Sequence, residues 1–446
     1  MTSPLFSILI PTRNRGHLIS DAIRSALAQT YGDYELVIVA NNCADNTREV
    51  VQSFSDPRIR YVETDRTLTM PDNWDFAFSQ ARGRYVTILS DDDAIVPNTL
   101  RYVAEQAIND NPRVVTWEDA NYFYPDWRDP AMRNITLLFR YSDNAIEDLP
   151  SRTYIEMCRT FSFSWSTPIP KGLNCVVDRE FFEDWRGKLG KLFYAIAPDF
   201  AFAWLTTHLC PTIRVLHRPL AVRGISDNSI GSSHGMGPNA AAFYREFGEL
   251  DFFKETPITI PSTVNHIAAT LLRVSAALRQ VGVEATQLDW QAFLLAAVRQ
   301  FREAKTMIPD WESYIPELLR AADQFSSTVQ QEVRQIIATP PEEPAPDRET
   351  IWQLKQRTAR MALEYPPNVT LKAAKHQGDE QCARCQLGLQ TGVLAAEQWG
   401  YLYMFGEELG AANIYETSLH VEEHYDLLMR CYRKQQQQQQ EHIPLP

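Results

Sequence analysis

Hydrophobic and polar positions alternate in short blocks over residues 4–117. Runs of β-branched and aromatic residues predict buried strands, and the segments between them carry apolar residues at helical spacing. Regular alternation of this kind favours an α/β fold with a mostly parallel, doubly wound sheet. The predicted strands are 5–10, 35–40, 58–63, 85–89 and 113–117, and the predicted helices are 16–29, 46–54, 72–82 (stopped by Gly83) and 98–107.

The pattern changes twice further along the chain. Residues 119–255 are rich in aromatic residues and interrupted by prolines, which suits long loops and an antiparallel edge beside a cleft. Residues 339–347 form a proline-rich acidic linker that we expect to be extended, and the glutamine run at 435–440 predicts a disordered tail. Beyond residue 255, apolar residues at helical spacing predict helices over 264–281, 288–305, 312–337, 350–363 and 408–432.

Composition narrows the classes of function. The 446 residues are enough for two or three domains, and the net charge of −13 argues against general affinity for nucleic acid or anionic membranes. No apolar stretch is long enough to span a bilayer and no signal peptide is evident, so we expect a cytoplasmic protein. The seven cysteines are odd in number and mostly scattered, which indicates reduced thiols, and the lone pair Cys382 and Cys385 lacks the second pair typical of zinc sites.

Three consecutive acids, Asp91, Asp92 and Asp93, directly follow the predicted strand 85–89. Carboxylates at the carboxyl end of a strand in an α/β sheet lie at the crevice where such folds bind ligands. Like charges packed this closely repel, so the acids favour a cation between them, and hard oxygen ligands suit Mg²⁺ or Mn²⁺ shared with substrate phosphates. The ordinary alternative is a solvated acidic turn. The segments that precede the acids favour the metal site.

Four segments resemble the nucleotide-binding half of family 2 glycosyltransferases, which have the GT-A fold. They occur in the family's order, which makes the resemblance stronger than any single motif. The segments are 6–14 (FSILIPTRN), 25–31 (SALAQTY), 34–39 (YELVIV) followed by 42–47 (NCADNT), and 82–85 (RGRY) leading into the acids. The resemblance implies a GT-A type domain that transfers a sugar from a nucleotide-diphosphate donor, usually with inversion and a divalent ion.

The resemblance also implies roles for particular residues. The family commonly has an acidic residue after the second strand that contacts the base or ribose, whereas this sequence has Ala40 followed by Asn41, which leaves donor identity open. Asp92 matches the position of direct metal contact, with Asp93 in support, and Asp91 would reach the ribose or the waters of the metal. His234, in a polar loop, is a candidate further ligand of metal or phosphate. The nucleotide-sugar residues implied are Pro11, Thr12, Arg13, Asn41, Arg66 and Asp91.

An inverting transfer needs a general base that takes the proton of the acceptor hydroxyl. In the family this base is an acid near the start of a helix in the second half of the catalytic domain, and Asp199 occupies such a position. The alternative role of Asp199 is to stabilise the helix dipole, which is common for an acid in a first turn. Asp178, Glu183 and Asp184 are weaker candidates for the base.

Together these features predict a catalytic domain over residues 1–255, with a nucleotide-binding half (1–118) and an acceptor half (119–255). Helical regions over 256–338 and 348–434 follow, separated by the linker and ended by the tail 435–446. The expected function is an inverting, metal-dependent glycosyltransferase of polysaccharide biosynthesis that uses a nucleotide-sugar donor, a glycan or other hydroxyl acceptor, and Mn²⁺ or Mg²⁺. The helical region could support a homo-oligomer. The alternative is a non-catalytic sugar-nucleotide-binding protein; a nicotinamide-dependent oxidoreductase is disfavoured because no G-x-G-x-x-G turn follows a strand.

Overall fold

The structure is a computed structural model that describes most of the N-terminal two thirds of the chain and part of the C-terminal region. The described residues are 3–130, 132–139, 146–163, 167–195, 197–227, 252–303, 311–340, 401–405 and 410–441.

One mixed sheet organises the molecule, with eleven strands among the described residues. Eight strands follow the order β11-β7-β6-β9-β4-β1-β2-β3, and β10 adds to it by pairing with β5, β6 and β8. The strands are β1 (Phe6–Thr12), β2 (Tyr34–Ala40), β3 (Ile59–Glu63), β4 (Tyr85–Ile88), β5 (Ala94–Ile95), β6 (Val114–Phe123), β7 (Ile135–Phe139), β8 (Ile146–Pro150), β9 (Cys175–Asp178), β10 (Thr212–Ile225) and β11 (Tyr401–Phe405).

The first four strands form the parallel part of the sheet, as the sequence predicts. β1 lies between β2 and β4 and is parallel to both, and β3 extends the sheet beside β2. Thr12 pairs with Ala40, and Leu9 pairs with Ile88. The carboxyl ends of β1, β2 and β4 therefore meet at one edge of the sheet, which is where ligands bind in α/β folds. The predicted α/β fold class is confirmed.

The second half of the sheet is largely antiparallel. β9 lies between β4 and β6 and runs antiparallel to both, whereas β10 runs parallel to β6. The predicted strand 113–117 continues as β6 to Phe123, because β10 and β7 supply hydrogen-bonding partners that local sequence does not reveal.

Helices cover the sheet and continue beyond it. The described helices are α1 (Ile19–Leu27), α2 (Thr47–Gln52), α3 (Met70–Ser79), α4 (Thr99–Tyr102), α5 (Ser151–Arg159), α6 (Arg179–Leu189), α7 (Pro198–Leu209), α8 (Thr263–Gln280), α9 (Trp290–Glu303), α10 (Ile315–Ala322), α11 (Ser327–Ala338) and α12 (Ile414–Glu441).

Three helix predictions differ from the structure. The helix expected over 98–107 is regular only in α4 and closes with a π-helical turn at Val103–Ala107. The helix expected over 312–337 is two helices, because Ser326 accepts a hydrogen bond from the Val329 amide and starts α11 anew. The helix before Gly83 ends at Ser79, and Gly83 instead lies against the backbone of β1.

The helices after residue 255 share a core with the N-terminal part of the chain. Trp204 of α7 is buried and donates its indole N–H to Ser275 of α8 at 2.9 Å. One continuous apolar cluster joins residues of β1, β4 and α7 to residues of α8, α9, α10 and α11. These helices therefore pack directly on the sheet's helical layer.

The C-terminal segment also returns to the sheet. β11 pairs antiparallel with β7, and Ile414 and Val421 of α12 are buried against a group that includes Tyr122 of β6 and Val222 of β10. α12 continues through the glutamine run, where we expected disorder, because glutamine is a good helix former. The predicted helix 350–363 and the Cys382–Cys385 pair lie outside the described residues. None of the helices described has the length and apolar character that crossing a bilayer requires.

Candidate functional site

The acid loop, residues Asp91–Asp93, lies just beyond β4 at the carboxyl edge of the parallel strands. The Leu89 amide donates to the Leu9 carbonyl oxygen of β1 at 2.8 Å, so β4 and β1 stay paired up to the start of the loop. The sequence prediction that these acids lie at the ligand-binding edge of the sheet agrees with this position.

Asp91 joins the acid loop to β1. Its carboxylate accepts a hydrogen bond from the Thr12 hydroxyl at 2.6 Å, and its side chain is buried. Burial, followed by the negative charge of Asp92, raises the pKa of Asp91 to about 7, and the nearby Arg15 opposes this rise. Two residues predicted to serve the nucleotide sugar, Thr12 and Asp91, are thus in direct contact, and Arg15 is a neighbour that the sequence analysis missed.

Asp92 and Asp93 face different surroundings. The half-buried Asp92 accepts a hydrogen bond from the Ser90 hydroxyl at 2.5 Å, and its main-chain oxygen accepts one from the Tyr124 hydroxyl at 3.1 Å. The buried Asp93 accepts a hydrogen bond from the Gly224 amide of β10 at 2.8 Å. Burial raises the pKa of Asp93 well above its ordinary value.

The donor set of the acid loop fits a hard divalent cation. Asp91 and Asp92 offer carboxylate oxygens close enough for the charge of one to raise the pKa of the other, and a cation would relieve this repulsion. No group of three or more His, Cys, Asp or Glu side chains suited to a metal occurs among the described residues. Mg²⁺ commonly takes one or two protein carboxylates and completes its shell with waters and substrate phosphates, which suits the two carboxylates of the acid loop.

Asn41 is buried, and its side-chain amide is bonded to the loop before α3. Its side chain is 2% exposed and its amide bonds both backbone groups of Leu68, donating to the carbonyl oxygen at 2.9 Å and accepting from the N–H at 2.8 Å. The amide thus holds the loop before α3 against β2. A carboxylate could accept from Leu68 but could not donate to it, which explains why an amide suits this position.

The remaining predicted nucleotide-sugar and metal residues are Pro11, Arg13, Arg66 and His234. Pro11 is buried at the end of β1 beside Thr12, whereas Arg13 and Arg66 have exposed side chains in the loops that follow β1 and β3. His234 lies outside the described residues.

Asp199 lies in the first turn of α7. Its half-buried carboxylate has a raised pKa because of burial, an effect opposed by Lys171, by the backbone amides of Phe200 and Asp199 and by Arg223. A raised pKa suits a general base that must exchange protons near neutral pH. The contact with first-turn amides also fits the alternative role of stabilising the helix dipole.

The weaker candidates for the base lie elsewhere. Asp178 caps α6 through the Phe181 amide and forms an ion pair with Arg113 at 2.7 Å. It pairs with Tyr85 at the amino end of β4, so it lies at the opposite edge of the sheet from the acid loop. Glu183 and Asp184 lie on α6, the helix that Asp178 caps.

Three charged residues interact with the acid loop or with Asp199, and none was identified from the sequence as a site residue. Arg223 of β10 forms an ion pair with Asp119 of β6 at 2.9 Å and lowers the pKa of both Asp93 and Asp199. Lys171, in the turn before β9, is buried, and burial lowers its pKa to about 8. Arg223 is 24 residues beyond Asp199 in the sequence and 130 residues beyond Asp93. No local sequence motif links these positions.

Residues 7–167 match the family model described as Glycosyl transferase family 2. This segment is similar in sequence to family 2 glycosyltransferases. It contains the acid loop and all the predicted nucleotide-sugar residues, and it ends before Lys171 and Asp199. The resemblance recognised from the four sequence motifs is therefore confirmed for the N-terminal part of the chain.

Curated relatives match the same part of the chain. The UDP-Glc:alpha-D-GlcNAc-diphosphoundecaprenol beta-1,3-glucosyltransferase WfgD of Escherichia coli is 33% identical over 111 residues, which cover 25% of this chain and 44% of the relative. The GalNAc(5)-diNAcBac-PP-undecaprenol beta-1,3-glucosyltransferase of Campylobacter jejuni is 34% identical over 107 residues, 23% of this chain and 35% of the relative. The chain thus spans less than half the length of these relatives.

Among solved structures, a crystal structure of S. aureus TarS in complex with UDP-GlcNAc aligns with a TM-score of 0.45 and 11% identity. The alignment covers 89% of this chain and 92% of the TarS chain.

Proposed function

We propose that this protein is an inverting, metal-dependent glycosyltransferase that moves a sugar from a nucleotide-diphosphate donor to a hydroxyl group of an acceptor. The observation that carries the proposal is the contact between Asp91 of the acid loop and Thr12 of β1, at the edge where three parallel strands end. It joins the first motif of the family match to the acids that follow the fourth strand, so both parts of a donor site lie together.

In this proposal Asp92 and Asp91 hold a divalent cation, Mn²⁺ or Mg²⁺, and Asp93 supports the loop through Gly224. The cation would neutralise the charge that develops on the departing diphosphate. Thr12 and Pro11 border the nucleoside, whereas Asn41 acts indirectly by fixing the loop that ends at Leu68. Arg13, Arg66 and His234 stay predicted ligands of the donor or the cation.

Asp199 is the proposed general base. Its carboxylate takes the proton of the acceptor hydroxyl while that oxygen bonds to the anomeric carbon and the bond from this carbon to the diphosphate oxygen breaks. Attack from the side opposite the leaving group inverts the anomeric centre. Because two relatives carry names of transferases that act on undecaprenol-diphosphate-linked sugars, we infer a glycan or lipid-linked glycan acceptor in polysaccharide biosynthesis. The cytoplasmic location stays a prediction from the sequence.

The test is release of nucleoside diphosphate from a panel of UDP-, GDP- and dTDP-sugars, with and without Mn²⁺. We expect release from one donor, stimulated by Mn²⁺, with large losses in Asp92→Asn and Asp199→Asn. Asp33→Asn is the matched control, because Asp33 is an exposed acid before β2, at the opposite end of the sheet. Turnover that is independent of Mn²⁺, or retained in Asp199→Asn, would contradict the proposed mechanism.

A second outcome of the same assays would favour the alternative function over the transferase. If the full chain binds a nucleotide sugar, shown by a ligand-dependent rise in melting temperature, but releases no nucleoside diphosphate with any acceptor tried, a non-catalytic sugar-nucleotide-binding protein is the better description.

A further inference from the structure

Lys171 is a buried cation whose position is fixed by the fold. Its backbone N–H donates to the Asn174 side chain at 2.9 Å, and the next residue, Gly172, accepts a hydrogen bond from the Ile88 amide at 3.0 Å. Gly172 has a φ of +85°, a conformation that glycine adopts without the strain of a side chain. The turn is therefore anchored to the end of β4, one residue before Leu89 and close to the acid loop.

The Lys171 ammonium forms no ion pair with a carboxylate among the described residues. The residue is 5% exposed, and no hydrogen bond or ion pair joins its Nζ to the part of the chain that the structure describes. Its Nζ lies 5.5 Å from the centroid of the Phe200 ring. A buried charge without a partner is costly, so its presence calls for compensation by nearby anions.

The surroundings show which anions provide that compensation. Phe200 lies in the first turn of α7, where the helix dipole disfavours a cation, so the helix itself does not stabilise Lys171. Negative charges that act on Lys171 are those of Asp119, Asp199 and Glu118, with a smaller effect of the Cys158 thiol. Asp119 is already bonded to Arg223 at 2.9 Å.

Arg223 and Lys171 act on overlapping sets of carboxylates. Arg223 acts on Asp93 of the acid loop and on Asp199. Lys171 acts on Asp199, and it also acts on Asp119 and Glu118 of β6. Its ammonium lies over the ring of Phe200, in the first turn of the helix that carries Asp199. Lys171 therefore lies against the helix that carries the proposed base.

We propose that Lys171 is a positioning residue whose ammonium, held over the first turn of α7, keeps the Asp199 carboxylate ionised for proton transfer. The inference rests on the proposed function and adds a residue to it. Lys171 touches neither donor nor acceptor in this account, and it acts through Asp199. The charged and titratable groups that face Asp199 in addition are Arg223 of β10 and the first-turn amides of α7.

The test is the pH profile of kcat/KM for nucleoside diphosphate release in Lys171→Met and Lys171→Arg. Removing the cation raises the pKa of Asp199, so in Lys171→Met the acid limb moves to higher pH by about one unit, with about tenfold lower activity below the limb and recovery above it. Lys171→Arg keeps the charge and is expected to keep the limb. Lys188→Met is the matched control, because Lys188 also lies over an aromatic ring, 4.3 Å from the centroid of Trp185, but is exposed on α6.

Binding of the nucleoside diphosphate with Mn²⁺, measured by calorimetry, separates positioning from ligand contact. An unchanged Kd in Lys171→Met supports the proposal, whereas a weaker Kd or an equal loss of activity at every pH overturns it. If Lys171→Met does not fold, Lys171→Gln provides the neutral variant for the same profile. Activity retained in Asp199→Asn defeats the proposed function itself, whereas inactive Asp199→Asn with an unshifted limb in the neutral Lys171 variant defeats only this inference.

Discussion

Replacing Gly224 by alanine tests how the acid loop is held. Gly224 lies near the end of β10, and a Cβ built on it would be 1.9 Å from the main-chain oxygen of Asp92 and 2.6 Å from the ring of Tyr124. Ordinary van der Waals contact begins at about 3.4 Å, so the loop or the strand must move by about 1.5 Å, the difference from 1.9 Å. Backbone atoms cannot rotate away as a side chain can.

The energetic cost follows from the contacts that this movement breaks. Overpacking costs about 1–3 kcal/mol, and the Tyr124–Asp92 hydrogen bond contributes about 1 kcal/mol more. The bond from the Gly224 amide to the Asp93 carboxylate, 2.8 Å long, is weakened as well. Lower entropy of the unfolded alanine chain returns about 0.5–1 kcal/mol, which leaves a net destabilisation of about 1–3.5 kcal/mol.

Denaturant unfolding followed by fluorescence measures this change directly. Gly187→Ala is the control, because Gly187 is exposed in α6 and its added Cβ would meet no atom within 4 Å. That variant should gain about 0.5–1 kcal/mol from helix propensity. Activity adds a second measure, since a displacement of about 1 Å at a reacting site can lower turnover about 100-fold. Wild-type stability and turnover in Gly224→Ala would refute the close approach of β10 to the acid loop.

Three further substitutions test other parts of the structure. Asn41→Asp removes the donor to the Leu68 carbonyl oxygen and should destabilise the fold by about 1–3 kcal/mol in urea titration, rather than improve donor affinity; tighter nucleotide binding would contradict the assignment. Burial raises the pKa of Glu118, which lies next to His217, from 4.5 to about 7, so the folded state binds the Glu118 proton more tightly than the unfolded state and loses stability as pH rises through that window. Glu118→Gln should remove a loss in the free energy of unfolding on the order of 3 kcal/mol between pH 4.5 and 7. Parallel curves of unfolding free energy against pH for the two proteins would refute this. Ile414→Ala empties a fully buried position of α12 and should cost about 2–5 kcal/mol if this helix folds with the sheet, whereas an unchanged unfolding curve would mean that it does not.

Local sequence determined the parallel half of the fold and the position of the acid loop. The strands 5–10, 35–40 and 85–89 were predicted within about two residues at each end, because a buried parallel strand needs an uninterrupted apolar run and such runs are visible in sequence. The three acids follow one of these runs directly, so their place at the carboxyl edge was fixed by chain order alone.

Tertiary structure decided the parts of the site that depend on distant residues. Asn41 was predicted to bind the nucleotide sugar, and only the folded chain reveals that its amide is bonded to Leu68, 27 residues away. Lys171, Asp119 and Arg223 lie on separate elements and become neighbours only because β10 pairs with β6 and the turn before β9 is anchored to β4. No periodicity or motif in the sequence predicts such pairings, because packing over the whole sheet determines which strands become neighbours.

The packing of α12 against the sheet is a further case in which the sequence determined the element and the tertiary structure determined its place. Its helical spacing was evident in the sequence, and the structure confirms a helix there. The surface against which it packs was not evident. An apolar stripe that contains Ile414 and Val421 indicates that this face of the helix must be buried, but it does not indicate which part of the molecule covers it. The sequence by itself therefore determined the elements and the acids, whereas the burial of charges between elements, and with it the candidate proton-transfer side of the cleft, was decided only when the chain folded.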